Sequence, residues 1–348
     1  MKIGIVGTGN IAVCHRQAYE TAGAEVVAVA DTADGRAARI AADWGVRRSY
    51  QDPAELFADD DVDAVSICTP NHTHASLAVD AIAAGKHVLV EKPMGRTYAE
   101  AVELQQAADK SDRVVQVGMV RRHATNCRAL KSYLDAGMLG PIYYAKASCL
   151  QRLANPGGWF ASKKLSGGGP VMDFGVHMID LAWYLMGTPE VVTVSANTYD
   201  RLGARNNIWG QDRYRAADAG AGGNDVEDLA NALIRFSNGA SLAVDVSYSL
   251  HATSDRLGIS VFGEKGGADL EPLRVATELA DTMVNIDPVL SSTGFNLTDG
   301  FANQAKSFLA ACRGETESAV PASQGAELLK ILDMVYHSAA NGREVAAE

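Results

Sequence analysis

Residues 2–12, KIGIVGTGNIA, decide the fold of the N-terminal region. The run Lys2–Val6 is short and apolar, as in a buried strand, and Gly7-Thr8-Gly9-Asn10-Ile11-Ala12 follows it directly. In this pattern Gly7 permits a sharp exit from the strand, Gly9 lets the backbone approach a phosphate group, and Ala12 lets helix and strand pack closely. We therefore predict a strand, a tight turn, and a helix to about Ala22 whose N-terminus can bind phosphate.

Strands and helices alternate outward from this turn as far as residue 117. Apolar runs predict strands at 25–30, 61–68, 86–90 and 114–117, and amphipathic segments predict helices at 33–44, 73–84 and 97–111. Strands that alternate with helices of about 10–15 residues are typical of parallel βαβ units, and uniformly apolar strands indicate burial on both faces. The predicted fold class is therefore α/β, with a doubly wound parallel sheet at the N-terminus.

A carboxylate, Asp31, ends the second predicted strand, 22 residues after Gly9. A carboxylate at this place can accept hydrogen bonds from the ribose hydroxyls of adenosine, and it repels a 2′-phosphate. The next residue is Thr32 rather than arginine, so the adjacent sequence offers nothing to bind that phosphate. The combination favours NAD(H) over NADP(H), against the plainer interpretation of a nucleotide-free turn and a strand-end aspartate.

Two polar segments follow later strands of the predicted sheet. Thr69-Pro70-Asn71-His72-Thr73-His74 comes after the strand at 61–68, and Glu91-Lys92-Pro93 comes after the strand at 86–90. A doubly wound sheet binds its ligand beyond the carboxyl ends of its strands. A lone lysine at a strand end is usually a surface charge, but this position places Lys92 on the edge predicted for the dinucleotide. The two histidines have no further ligands at suitable spacing, so we expect no metal site.

The second half of the chain has a different pattern. A helix is predicted at 123–136 and strands at 142–152, 190–198, 228–236, 240–249 and 256–262. Asn238-Gly239 between two of these strands is a strong hairpin signal. Hairpin-joined strands predict an antiparallel sheet, and so an α+β second domain. The polar, glycine-rich segment 200–225 is interpreted as an irregular loop that is mobile or lies beside a pocket.

The densest polar pattern of this half is GGGPVMDFGVHMID at 167–180. A helix is predicted from Val171 to Met186, and on it Asp173 and His177 are four residues apart, so they share one face, with Asp180 near the same stripe. One interpretation is a buried structural histidine with carboxylate partners. The other is a proton-transfer site, because histidine titrates near neutral pH and a carboxylate one turn away can orient it.

Composition limits the possible partners and location. At 348 residues with 21% charged residues, the chain fits two globular domains. A net charge of −11 argues against nucleic acid as a partner. The apolar runs are far shorter than the ~18–20 residues that span a bilayer, and no signal peptide is recognised. Five scattered cysteines without a C-x-x-C pair fit a reducing compartment, so we expect a cytoplasmic protein.

Four motifs in this order resemble the glucose–fructose oxidoreductase/inositol dehydrogenase (Gfo/Idh/MocA) family. They are GxGxxA at 7–12, TPNxxH at 69–74, EKP at 91–93 and GGGPxxDxGxHxxD at 167–180. The resemblance covers essentially the whole chain, including the hairpin at 238–240. It implies a Rossmann domain over 1–121 and an α+β domain over 122–348, with a large open, mainly antiparallel sheet that builds homodimers or homotetramers. The last helix is expected to pack back on the N-terminal domain.

The resemblance also implies an activity and its residues. It implies an NAD-dependent oxidoreductase that acts on a sugar, sugar derivative or cyclitol, with catalytic residues Lys92, Asp173 and His177. His177 is expected to move the hydroxyl proton, Lys92 to stabilise charge on the substrate oxygen, and Asp173 to orient hydroxyls or His177. The residues expected to bind the cofactor are Gly7, Thr8, Gly9, Asn10, Ile11, Asp31, Thr69, Pro70, Asn71, His74, Glu91 and Lys92.

Other candidates for substrate binding come from loops. Arg122, in the pair Arg121-Arg122, resembles inositol dehydrogenases, whereas the GGGP turn is more similar to sugar-acting branches. Arg152, Asn155 and Trp159 precede that turn and could offer hydrogen bonds and a ring face, although each could equally be a structural loop residue. Two alternatives stay open: a redox-neutral NAD-dependent glycosidase or epimerase-type enzyme, and a non-catalytic NAD-binding sensor.

Overall fold

The computed structural model of the chain describes residues 1–205, 207–209, 214–220 and 223–347. The chain folds into two compact units. The first contains Met1–His123 and Leu297–Leu329, and the second contains Ala124–Asn296 and the chain from Lys330 onward. None of the helices in the described residues has the length and hydrophobicity needed to cross a bilayer.

The first unit is built on a six-stranded parallel sheet. Its strands are β1 (Lys2–Val6), β2 (Glu25–Ala30), β3 (Arg48–Tyr50), β4 (Ala64–Ile67), β5 (His87–Glu91) and β6 (Val115–Gly118), in the order β3-β2-β1-β4-β5-β6. The helices between them are α1 (Asn10–Thr21), α2 (Arg36–Trp44), α3 (Pro53–Phe57), α4 (His74–Ala83) and α5 (Tyr98–Asp109). The strand order turns back between β1 and β4, as in a doubly wound sheet, so the predicted fold class is confirmed.

The strands of the first sheet could be predicted because most of them are uniformly apolar and buried. Ile3 and Ile5 of β1 and Val88 and Val90 of β5 are 0% exposed. The sequence pattern missed β3 and α3, which have three and five residues. Neither is long enough to show a period; α3 is instead marked by Asp52, whose side chain accepts a hydrogen bond from the Ala54 N–H.

The second unit contains a nine-stranded sheet. It begins with α6 (Thr125–Asp135) and β7 (Ile142–Leu150), followed by α7 (Lys163–Ser166), α8 (Val176–Leu185), β8 (Val191–Tyr199), β9 (Leu229–Phe236), β10 (Ser241–Ser247), β11 (Arg256–Gly263), β12 (Gly266–Leu270), β13 (Leu273–Leu279) and β14 (Thr282–Ile286). The chain ends with α9 (Leu297–Cys312), which belongs to the first unit, α10 (Ala322–Asn341) and β15 (Val345–Ala346). The strand order is β14-β13-β12-β11-β7-β10-β9-β8-β15.

Most strand pairs of this sheet are antiparallel. Among the described strands of this second sheet, only β7 and β10 pair in parallel. The predicted hairpin joins β9 and β10, where Gly239 has φ +84° and the Asn238 side chain accepts a hydrogen bond from the Ala240 N–H. The mainly antiparallel sheet is therefore confirmed. Strands β12 to β14 escaped prediction for different reasons: glycines and an aspartate interrupt β12, charged residues interrupt β13, and β14 is only five residues long and mostly exposed.

The predicted α-helix from Val171 needs a correction. Val171–Gly175 form a π-helical turn, in which the Val176 N–H donates to the Val171 carbonyl, and the α-helix α8 begins only at Val176. Periodicity did not reveal this turn because its first N–H, that of Val171, donates to Glu227, which is 56 residues away in the sequence. A π turn inside a helix is often found at a functional site.

The segment 200–225 forms no helix or strand in the part that the structure describes. Residues 206, 210–213 and 221–222 of this predicted loop lie outside the described residues. Six described residues of the segment line a cavity of about 290 Å³ together with part of 155–161; they are Ala204, Arg205, Arg215, Ala219, Gly223 and Asn224. The loop therefore does lie beside a pocket of the second unit.

Candidate active site

The glycine turn after β1 leaves an open cradle at the start of α1. Gly7 has φ +85°, and a Cβ atom there would lie 2.7 Å from the carbonyl oxygen of Cys68, so only glycine fits. A Cβ at Gly9 would meet nothing within 4 Å. The first turn of α1 has no acidic residue and no side-chain cap, and all of its residues are described. Its N–H groups and open space fit a dinucleotide pyrophosphate.

Asp31 lies at the end of β2 and is bound to this turn. Its Oδ2 accepts hydrogen bonds from the Thr8 N–H (2.9 Å) and the Thr8 hydroxyl (2.6 Å), and its Oδ1 accepts one from the Ala33 N–H (3.0 Å). Burial raises the pKa of Asp31, but these donors and Arg36 lower it by more, so the carboxylate stays ionised. Arg36 Nε is 3.7 Å from Oδ2, so the fold brings up a guanidinium that the adjacent sequence did not show.

The ends of β4 and β5 are held together by His74. Its ring is 1% exposed, and its two nitrogens each lie 2.6 Å from a backbone carbonyl oxygen, one of Thr69 and one of Pro93. Burial lowers the pKa of His74 by more than the two carbonyl oxygens raise it. Both nitrogens are thus engaged with the backbone, and the ring connects the TPN segment to Pro93. The segment itself holds Pro70, half-buried, and Asn71, 6% exposed.

Lys92 and Glu91 have different surroundings at the end of β5. Lys92 is half-buried and immediately precedes Pro93, to which it is joined by a cis peptide bond. Glu91 is 7% exposed, and its carboxylate is hydrogen-bonded to the buried ring of His15. The first unit thus brings the glycine turn, Asp31, the TPN segment and Lys92 to the carboxyl ends of β1, β2, β4 and β5.

Asp173 and His177 occupy the π turn and the first turn of α8. Both are half-buried, whereas the neighbouring Val171, Met172, Val176 and Met178 are buried. The Tyr248 hydroxyl donates a hydrogen bond to Asp173 Oδ2 at 3.0 Å. Tyr248 is fully buried and meets the Phe174 ring edge to face. Burial and the Asp173 charge raise the pKa of Tyr248, so it stays a proton donor toward that carboxylate.

Glu227 holds the glycine-rich turn that precedes Asp173. Its carboxylate accepts hydrogen bonds from the N–H groups of Gly169 (3.0 Å) and Val171 (3.1 Å) and from the Tyr336 hydroxyl (2.9 Å). A Cβ at Gly168 would lie 1.8 Å from the Tyr336 oxygen, so the glycine is required by this contact. Sequence reasoning missed Glu227, Tyr336 and Tyr248 because they are distant in sequence and belong to no motif.

The remaining predicted substrate residues make contacts within their own units. Arg122 belongs to the first unit, is 4% exposed and donates to Gln324 at 2.6 Å. In the second unit, Arg152 pairs with Asp255 and Asn155 donates to Asn224 at 2.8 Å. The Trp159 ring stacks on Phe160 with centroids 3.7 Å apart. The cavity of about 290 Å³ is lined by Asn155 but not by Arg152 or Trp159.

Comparison with known proteins points to one family across both units. Residues 1–119 match the oxidoreductase family with an NAD-binding Rossmann fold, and residues 127–269 match the GFO/IDH/MocA C-terminal domain. The chain is 29% identical to the D-glucoside 3-dehydrogenase of Escherichia coli K12, over 99% of this chain and 97% of that protein. It is also 29% identical to inositol 2-dehydrogenase 2 of Saccharopolyspora erythraea, over 100% and 96% of the two chains.

A solved structure has the same fold over the same extent. It is a levoglucosan dehydrogenase in complex with NADH and L-sorbose, 25% identical, with a TM-score of 0.86 over 100% of this chain and 99% of that one.

Proposed function

Since the chain belongs to the GFO/IDH/MocA oxidoreductase family, we propose that it is an NAD-dependent dehydrogenase or reductase. The reaction moves hydride between nicotinamide and a secondary hydroxyl or carbonyl of a sugar, sugar derivative or cyclitol. The observation that carries this proposal is the open cradle at Gly9 next to an ionised Asp31. The relatives named for glucoside, inositol and levoglucosan support the substrate class.

The glycine turn fits NAD, and specific residues would hold it. The N–H groups at the start of α1 would bind the pyrophosphate, and Asp31 would accept the ribose hydroxyls. When bound, the nicotinamide supplies the hydride acceptor or donor. Thr69, Pro70 and Asn71 follow β4 on the same sheet edge and complete the proposed binding surface.

The chain's own residues supply proton transfer and charge stabilisation. We assign His177 as the base that takes the hydroxyl proton in oxidation and returns it in reduction. Lys92 donates a hydrogen bond to the substrate oxygen and stabilises the negative charge that develops there. Asp173, whose Oδ2 accepts a hydrogen bond from Tyr248, orients a substrate hydroxyl or His177.

Domain roles and assembly complete the proposal. Residues 1–121 would bind the cofactor and residues 122–348 the substrate, in a cytoplasmic homodimer or homotetramer formed through the nine-stranded sheet. Large apolar side chains on three strands of that sheet support this assembly because they are exposed: Tyr143 on β7 (56%), Leu279 on β13 (68%) and Met283 on β14 (69%).

The test is a panel of sugars and cyclitols with NAD⁺. D-glucose, methyl glucosides, levoglucosan, myo-inositol and scyllo-inositol are each incubated with the protein, and the absorbance of reduced nicotinamide is followed. We expect turnover with at least one of them, and tighter binding of NADH than of NADPH by fluorescence titration. Failure of every polyol would overturn the dehydrogenase assignment, and tighter NADPH binding would overturn the cofactor assignment.

A further inference from the structure

A buried ion pair lies next to the backbone of Lys92. Glu91 is 7% exposed and His15 is 1% exposed. Glu91 Oε1 accepts a hydrogen bond from His15 Nε2 at 2.8 Å, and Glu91 Oε2 accepts one from the Lys92 N–H at 3.2 Å. One carboxylate thus uses one oxygen to hold a buried side chain and the other to hold the backbone of the proposed catalytic lysine.

The pair connects three elements of the first unit. His15 lies on α1, one helical turn beyond Ile11, and Glu91 is the last residue of β5. His15 Nδ1 is 3.1 Å from the hydroxyl of Ser66 on β4, and the Tyr19 hydroxyl is 2.6 Å from the same oxygen. The helix with the phosphate cradle is therefore tied to the strand end that carries Lys92.

The Glu91 carboxylate is held in position by the close packing of β6 and by the charge of His15. A Cβ at Gly118, on the neighbouring β6, would lie 2.9 Å from Glu91 Oε1, so the glycine leaves just enough room. Burial lowers the pKa of His15, but Cys68 and Glu91 raise it by more, to about 10. Burial raises the pKa of Glu91, but His15 and Lys92 lower it by more. Both partners are therefore charged near neutral pH.

A buried ion pair is a poor source of net stability, since the cost of removing two charges from water offsets their attraction. Its directional hydrogen bonds are better suited to setting geometry. A displacement of about 1 Å at a reacting group can cost up to about 100-fold in rate. The location of this pair, between the cradle helix and Lys92, is where such a displacement would matter.

We propose that His15 and Glu91 form a positioning pair that fixes the Lys92 backbone relative to the cofactor-binding helix. Neither residue touches the reacting atoms in this proposal. Its effect on turnover rests on the proposed function, whereas its effect on the Lys92 backbone does not.

The main test replaces Glu91 by glutamine. A carboxamide is uncharged and replaces one acceptor oxygen by an NH2 group, so the contacts with protonated His15 and with the Lys92 N–H cannot both remain on separate oxygens. Glu20→Gln is the matched control, because Glu20 pairs with Arg16 on the surface of α1, the helix that carries His15. In Glu91→Gln without cofactor, we expect hydrogen exchange of the Lys92 amide, read by fragment mass spectrometry, to be at least about fivefold faster.

Turnover gives the second measurement. We expect kcat of Glu91→Gln to fall about 10- to 100-fold while KM for the sugar changes less than about threefold. A merely structural loss would lower the fraction of active protein without changing the exchange of the Lys92 amide in the folded protein. His15→Gln, whose amide can still donate to Glu91, should retain more turnover than His15→Ala and decides the matter if Glu91→Gln does not fold.

The outcomes separate the two proposals. A folded Glu91→Gln with Lys92 exchange and kcat within twofold of wild type would show that the pair does not position Lys92. Equal losses in His15→Gln and His15→Ala would also contradict it. A wild-type protein inactive on every polyol would overturn the proposed function alone, because the exchange of the Lys92 amide would still test the positioning pair.

Discussion

Two buried carboxylates, one in each unit, hold the backbone beside the proposed catalytic residues, and they are stabilised differently. Glu91 in the first unit faces the imidazole of His15. Glu227 in the second unit accepts hydrogen bonds from two backbone N–H groups and the Tyr336 hydroxyl. Glu91 lies at a strand end, where side chains of other elements contact it. Glu227 binds the turn before a helix, where backbone N–H groups have no partner within the helix. The interaction of Glu91 therefore depends on the protonation of His15, whereas the donors to Glu227 are uncharged.

The largest expected effect is the loss of kcat when the proposed catalytic residues beside these carboxylates are replaced. Lys92→Ala and His177→Ala should each lower kcat by about 100-fold or more, because each removes a group that stabilises or transfers charge in the transition state. NADH affinity, measured by fluorescence titration, should change little. Lys110→Ala and His337→Ala, at exposed positions, serve as controls. Near-normal turnover in either site variant would remove that residue from the proposed mechanism.

The next effect tests the carboxylate of the second unit. Glu227→Ala leaves three donors without their acceptor, so we expect the free energy of unfolding to fall by about 2–4 kcal/mol. Glu227→Gln should lose less, because its amide oxygen can still accept. Urea denaturation followed by circular dichroism measures both, with the exposed Glu264→Ala as control. A loss below about 0.5 kcal/mol would mean that Glu227 is not what holds the glycine-rich turn.

The pH dependence of stability should distinguish the two carboxylates. The pKa of His15 is raised from 6.5 to about 10 in the fold, so its contribution is fully present below pH 6.5 and is lost as the pH rises through about 10. The groups around this ring are Glu91, Ser66, Tyr19 and Cys68, together with the Cys14 thiol and the Phe301 ring of α9. The stability difference between wild type and His15→Gln should therefore shrink between pH 6.5 and pH 10.5.

Glu227→Gln, in the second unit, is the comparison for this pH dependence of stability. The difference between wild type and Glu227→Gln should stay nearly constant over the same pH range, because its donors are two amides and a tyrosine whose pKa burial and Glu227 raise well above its usual value. A His15→Gln difference that does not change with pH would contradict a charged His15.

The parts that could be predicted from the sequence follow from local physics. Long apolar strands, the glycine turn and Asp31 are each readable within a few residues, and the structure has the predicted sheet and strand ends. The π turn at Val171, the approach of Arg36 to Asp31 and the contacts of Glu227 depend on residues that only the fold brings together. For the same reason Glu227, Tyr336 and Tyr248 had no sequence signal, whereas Glu91 and His74 stand within the motifs.

The smallest effect concerns the fine adjustment of Asp173. Tyr248→Phe removes a single hydrogen bond to one of its oxygens while the ring and its edge-to-face contact with Phe174 remain. The net value of such a bond to a charged group is about 1.5–3 kcal/mol, but water or substrate can replace it at a half-buried carboxylate, so we expect kcat to fall only about three- to tenfold. Tyr199→Phe, at an exposed position of β8, is the control. If Asp173 orients the substrate, KM for the sugar should rise together with the loss in kcat. An unchanged KM and kcat would mean that Asp173 holds its orientation without Tyr248, and that the second unit depends on Glu227 for its geometry.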